Sequence, residues 1–228
     1  MATEKKLLAL ERIYARYEEY TRQLRVACQK YCAHCCTCNV TMTSLEAAYI
    51  RKALSDAEWA AIRQRLAPQL EKIRYQPEIT LNQMAGLCAN SQEPPEEIID
   101  PNWGACPLLE KKACPIYSVR PFGCRCLLSG RNCGDSGYAE IDAYTITVNY
   151  VFTQFIEHLD QSGKTGNLSD ILMATDPETA AAGASIHDSA AGCHVIRNRA
   201  IPMLLVPPEH QRDIASIVND LHAIVESA

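Results

Sequence analysis

Thiols are the groups in this chain whose type and spacing can do chemistry. Of twelve cysteines in 228 residues, Cys28, Cys32, Cys35, Cys36 and Cys38 crowd into CQKYCAHCCTC. Cys124 and Cys126 stand in RPFGCRC, reached from Cys106 and Cys114 through ACPLLEKKACPIYSV. Thiols set so densely form disulfides, carry out thiol chemistry or bind metal. Soft thiolates select zinc, copper(I) or iron–sulfur clusters over hard cations. Tetrahedral zinc takes four ligands, often as C-x2-C pairs; Cys32 and Cys35 have that spacing, and no two cysteines of the second block do. Iron–sulfur sites draw several close-set thiolates from one segment and a further one from afar, as Cys28, Cys32 and Cys35 would allow. Spacing alone leaves iron–sulfur and zinc both open.

The neighbours add detail. Arg120 and Arg125 bracket Cys124, where positive charge and N–H donors would lower a thiol's pKa and stabilise an anionic cluster. The alternative is that both arginines form surface ion pairs. His34, between Cys32 and Cys35, is kept outside the ligand set. Cys88 and Cys193 lack nearby partners and read as small structural core residues, although His194 adjoins Cys193. No Ser/His/Asp arrangement, Gly-rich phosphate loop or His-Glu-x-x-His helix is visible.

Helices must position these thiols. Leu7, Leu10, Ile13, Tyr14, Tyr17, Leu24 and Ala27 recur at three- and four-residue steps, predicting a helix over 3–30 with Cys28 on its last turn. A second helix starts at 41–44 with Glu46 as a first-turn acid. Ser55 and Glu58 have capping-box spacing for a third, running to about Arg74 with Pro68 as a kink. Residues 80–89, carrying Cys88, form a fourth. The second cysteine block, punctuated by Pro107, Pro115, Pro121, Gly123, Gly130 and Gly134, reads as loops with a short hairpin across EKKA. A long helix follows over 138–161, a short one over 167–174, and then the Ala/Gly-rich ETAAAGASIHDSAAG (178–192), a flexible loop or a small-residue packing surface. Pro207 and Pro208 open a C-terminal amphipathic helix. The expected fold is mainly α, with helices around an irregular, loop-rich cysteine metal-binding insert. It is expected as a single domain, 1–228, with its cysteine region at 28–133 and a helical part at 138–228.

Composition agrees. Hydrophobic residues at 47% and charged ones at 21% are ordinary for a globular chain. A net charge of −5 argues against a nucleic-acid surface, and the basic pairs Arg22/Arg25 and Lys111/Lys112 are short solvated faces. The charged N-terminus has no signal-peptide pattern, and no stretch approaches the roughly 20 apolar residues of a membrane span. A cytoplasmic location follows, where clustered cysteines mean metal or catalysis more often than disulfides. The terminal amphipathic helices either form a homodimer or pack on the core, and packing on the core is the expectation.

The order of motifs also resembles a known family. Cys28, Cys32, Cys35 and Cys36, then Thr43 to Glu46, then Cys106-Pro107-Leu108-Leu109, Cys114-Pro115-Ile116-Tyr117 and Arg120-Pro121-Phe122-Gly123-Cys124-Arg125 are similar to the widespread prokaryotic cysteine-cluster family of zinc- or iron-chelating (CxxCxxCC-type) domains. The likeness spans about residues 28–133. The CPxL…CxIYxxRPxxCR run is its specific part. The resemblance implies one composite metal site, an iron–sulfur cluster or zinc, on Cys28, Cys32, Cys35, Cys36, Cys106, Cys114 and Cys124, with Cys133 or Cys126 as a further ligand and Cys133 preferred. Two departures stand out. Three residues instead of two separate Cys28 from Cys32, so either the first ligand has shifted or Cys38 takes a role, and Ala33 replaces a common glycine. The motif is also linked to flagellin lysine N-methylases, which implies protein methylation as an activity. The Cys28-x3-Cys32-x2-Cys35 spacing is, separately, that of radical S-adenosylmethionine enzymes, but their β/α-barrel alternation is missing from the sequence.

Overall fold

The N-terminal apolar stripe becomes α1, Ala2–Thr21. Leu7, Leu10, Ile13, Tyr14 and Tyr17 bury one face of it, as their spacing requires. The computed structural model describes residues 2–29, 31–176 and 193–228. The helix ends earlier than expected. Gln23 N donates to Tyr20 O and Leu24 N to Thr21 O, closing tight turns, and Ala27 N then donates to Ser129 O at 2.8 Å. Cys28 is therefore not on a last helical turn. It sits beyond the helix in an irregular segment whose bond to a distant stretch overrides the local helical pattern.

Against α1 pack α7 (Ala143–Leu159) and α9 (Gln211–Glu226). Asp142 caps α7 by accepting from Thr145 N at 2.9 Å, and Pro208 leads into α9 through a 3-10 turn. Val148, Val151, Phe152 and Phe155 of α7 meet Ile214, Ile217, Leu221 and Ile224 of α9 in the larger of two apolar cores. Tyr17 stands edge-on to Phe122 and Phe152, with ring centres 4.8 and 5.0 Å away. Arg16 reaches Asp220 at 2.8 Å. Both terminal helices thus fold back onto their own chain.

The smaller core lies under α2 (Ser44–Ala53), α3 (Asp56–Leu66) and α8 (Leu168–Ala174). The expected Ser55–Glu58 capping box opens α3, and a second box, Thr43 with Glu46, opens α2. The predicted continuation of α3 to Arg74 does not form. After Leu66 the chain makes a 3-10 turn, Ala67–Gln69, around Pro68, because Pro68 has no N–H for the helical ladder. Arg74 turns inward, pairs with buried Asp170 at 2.5 Å and donates to the carbonyls of Gln69, Leu70 and Lys72. α4 (Leu81–Ala89) is capped by Thr80, and its first amides, Leu81 N and Asn82 N, donate to Glu157 of α7 at 2.9 and 2.8 Å.

A small antiparallel sheet, unforeseen in the sequence, joins the halves: β1 (Thr41–Thr43), β2 (Lys164–Asn167) and β3 (Val195–Arg197), in the order β1-β2-β3. Met42 pairs with Gly166, and Gly166 with Val195. The described residues are mainly α. Two single-turn helices, α5 (Phe122–Arg125) and α6 (Cys133–Ser136), interrupt the otherwise irregular cysteine-bearing stretch. The expected hairpin is present, Glu110 and Ala113 exchanging backbone bonds of 2.8 and 2.7 Å around Lys111 and Lys112. The Ala/Gly-rich stretch 178–192 lies outside the described residues. Among the described residues no helix is long and apolar enough to cross a membrane.

Candidate metal centre

The first cysteine block is a run of tight turns: Cys32 N donates to Gln29 O, Cys36 N to Ala33 O and Thr37 N to Cys35 O, all at 3.0–3.1 Å. An isolated antiparallel bridge joins Thr37 to Ala105. Around it Cys106 N donates to Cys36 O and Cys38 N to Gly104 O, each at 2.9 Å. Two segments far apart in sequence are thereby stitched together, with Cys36 beside Cys106. The 110–113 hairpin then returns the chain so that Cys114 follows closely, and both thiols pack on the smaller core with Cys124.

Cys124 reaches the same place through α5. Phe122 N, at the open end of that turn, donates to Glu46 Oε1 at 2.6 Å. Gly123 lies so near β1 that a Cβ there would stand 2.6 Å from Thr41 O. Only glycine allows this approach without moving backbone, which accounts for the glycine immediately before Cys124.

Cys28, Cys32, Cys35, Cys36, Cys106, Cys114 and Cys124 line one cavity of about 300 Å³. Val40, Leu108, Ile116 and Leu168 give it apolar walls, and Arg120 lines it as well. Seven of the eight expected ligands are therefore brought together. The eighth, Cys133, is not in the lining; it opens α6, close enough to Cys28 for its charge to raise that thiol's pKa. Cys126 faces the larger core, donates to Gly123 O at 3.6 Å, and is pushed up to about 12 by burial. Cys38 lies outside the cavity and donates to Asn39 Oδ1 at 3.4 Å. All twelve cysteines are among the described residues and all are free.

The thiols are electrostatically unlike. Burial pushes Cys106 up to about 11, raises Cys114, and holds Cys124 well above the ordinary thiol range, with Cys106 and Cys114 adding to the rise at Cys124. Cys35 and Cys36 share a hydrogen bond: it raises Cys35, already raised by burial, and lowers Cys36. A half-buried set of thiols resists carrying charge, and a bound cation is the partner that would draw off their protons. Among the described residues, no three His, Cys, Asp or Glu side chains are gathered as ligands of a single ion. The thiols stand as walls around a space.

The two arginines have separate roles. Arg120 stacks on Tyr117, its guanidinium 4.0 Å from the ring centre, and its charge lowers the pKa of Cys35, Cys114 and Cys124. Arg125 is buried over the Tyr14 ring, 4.2 Å from its centre. It donates to the carbonyls of Arg120 and Ser118 and pairs with Glu18 at 3.2 Å, so it clamps the loop and leaves the thiols alone. His34 lies against Gly134 of α6. Cys193 packs on the smaller core as a structural residue would. Cys88 does not: it is exposed on α4, whose buried side is formed by Asn82 and Ala85.

The positioning roles of two residues went unnoticed in the sequence. Glu46 was visible only as a helix acid, and its bond to Phe122 has no local signal. Tyr117, the platform for Arg120, looked like part of a motif without a role. The β/α barrel that would carry radical chemistry is not the fold of the described residues. Comparison with protein families, curated proteins and solved structures returns no match to this chain.

Proposed function

We propose that the thiol-lined cavity holds a metal centre, that this centre is an iron–sulfur cluster, and that the protein is a redox protein of the reducing cytoplasm. The cavity lined by seven cysteines carries the proposal. A single zinc ion, with Zn–S bonds of about 2.3 Å, needs four sulfurs drawn to one point at about 3.8 Å from each other. Thiols spread around a space of about 300 Å³ suit a group that brings its own sulfide ions. Bound there, a cluster would supply one-electron chemistry. The chain's own groups would do the rest: apolar walls limit water, and Arg120 offsets negative charge on the thiolates. Free cysteines throughout fit a compartment that keeps thiols reduced.

Anaerobic purification, absorbance in the thiolate-to-iron charge-transfer region and elemental analysis test this together. The expected protein is coloured and contains iron and sulfide, and Cys35→Ser and Cys124→Ser each lose at least half of both. A colourless zinc-loaded protein would replace the cluster by a structural ion. Full metal content in both variants would remove the site altogether.

A further inference from the structure

We infer that the thiols form two adjoining metal centres, one on Cys28, Cys32, Cys35 and Cys133, the other on Cys36, Cys106, Cys114 and Cys124. The inference rests on the metal-binding function proposed above and goes beyond it in number and in ligand sets. Two separate pieces of backbone build the two sets. The second set is fixed by the Thr37–Ala105 bridge and by the 2.9 Å bond from Cys106 N to Cys36 O. Its other three thiols, Cys106, Cys114 and Cys124, all pack on the smaller core.

The first set is fixed elsewhere. Ala27 N donates to Ser129 O at 2.8 Å, Ser129 N donates to the Cys28 sulfur at 3.3 Å, and that thiol in turn faces Leu127 O at 3.8 Å. From Ser129 the chain runs on to α6, whose first residue is Cys133. His34, between Cys32 and Cys35, touches Gly134, so the first cysteine block and α6 meet from both sides.

Cys35 and Cys36, adjacent in the chain, are where the two sets adjoin. Ligand arithmetic favours the division: zinc and iron–sulfur centres alike are completed by four thiolates. One centre would leave four of these eight thiols crowded, half-buried and without a partner. Two centres use them all.

Iron–sulfide reconstitution under anaerobic conditions tests the division, with iron content and charge-transfer absorbance as readouts and far-UV circular dichroism as the control for folding. The Cys28→Ser/Cys133→Ser variant and the Cys106→Ser/Cys114→Ser variant should each retain half the iron and half the absorbance of the unaltered protein. If one variant keeps everything while the other keeps nothing, or if both lose everything with their helices intact, there is one centre and the inference falls. Should either variant fail to fold, native mass spectrometry of the unaltered reconstituted chain decides: two cluster increments support two centres, and one increment refutes them. An unaltered chain that takes up no iron would instead overturn the metal-binding function itself.

Discussion

A carboxylate outside the cavity sets much of the site's shape. Glu46 is fully buried and accepts from Tyr14 OH at 2.8 Å, Phe122 N at 2.6 Å, Thr43 N at 2.7 Å and Thr43 Oγ1 at 3.1 Å. Through these bonds one side chain caps α2, anchors α1 and holds α5, the turn that presents Cys124. Burial raises its pKa, and the donated bonds from Phe122 and Thr43 oppose that rise. A glutamine at this position would aim two N–H donors at groups that are themselves donors. Glu46→Gln should therefore cost about 2–3 kcal/mol in chemical denaturation and lower metal retention even though it touches no thiol. A cost below about 0.5 kcal/mol would show that the bonds to Phe122 and Tyr14 contribute little. The Thr-x-x-Glu spacing was legible in the sequence. Its other two partners were not, since Tyr14 and Phe122 lie far from Glu46 along the chain and no periodicity links them. Gly123 is alike: its identity is plain, but the need for it arises only when β1 passes within reach.

Helices were the legible elements, because a capping residue and a three-to-four-residue apolar spacing are both local signals. Ser55 with Glu58 located the start of α3 without error, and Thr80 that of α4. Helix ends were less legible, as at Thr21 and Leu66, where a distant partner or a proline took over. The sheet was invisible because strands of three or four residues show too little alternation to separate from loop. One helix junction makes a prediction about pH. Glu157 of α7 accepts from the first two amides of α4, yet burial pushes it up to about 7 from an ordinary 4.5. A carboxyl with a raised folded-state pKa contributes stability that is complete below 4.5 and disappears as pH rises through 7. Over that window the unaltered protein should lose about 3 kcal/mol relative to Glu157→Gln, which has no proton to lose. Denaturation curves of both proteins at several pH values measure the difference directly. Parallel curves from pH 4.5 to 7 would show that the two amides stabilise the anion enough to cancel burial.

Across the whole molecule, regular structure and thiol-bearing structure are separate. The larger core, made by α1, α7 and α9, contains none of the cavity-lining thiols. The smaller core has Cys106, Cys114 and Cys124 on its surface, and the chain between α4 and α7 holds little beyond single turns and one four-residue hairpin. A site assembled from such backbone could be read in the sequence as a list of cysteines. How they are shared could not, because bridges such as Thr37 to Ala105 carry no pattern. That separation predicts an uneven response to metal removal. If thiolate–metal bonds tie residues 28–38 to 104–133, a chelator should release that region while the helical core persists, since binding free energy is then folding free energy for the region alone. Hydrogen exchange of protein prepared with and without metal would show faster exchange at Ala27, Cys38 and Cys106, whose amides form the connecting bonds, and unchanged protection in α7 and α9. Limited proteolysis should cut the metal-free form first between α4 and α7. Equal loss of protection in both cores would mean that the halves unfold as one unit and that the sheet couples them more strongly than the separation of their contacts implies.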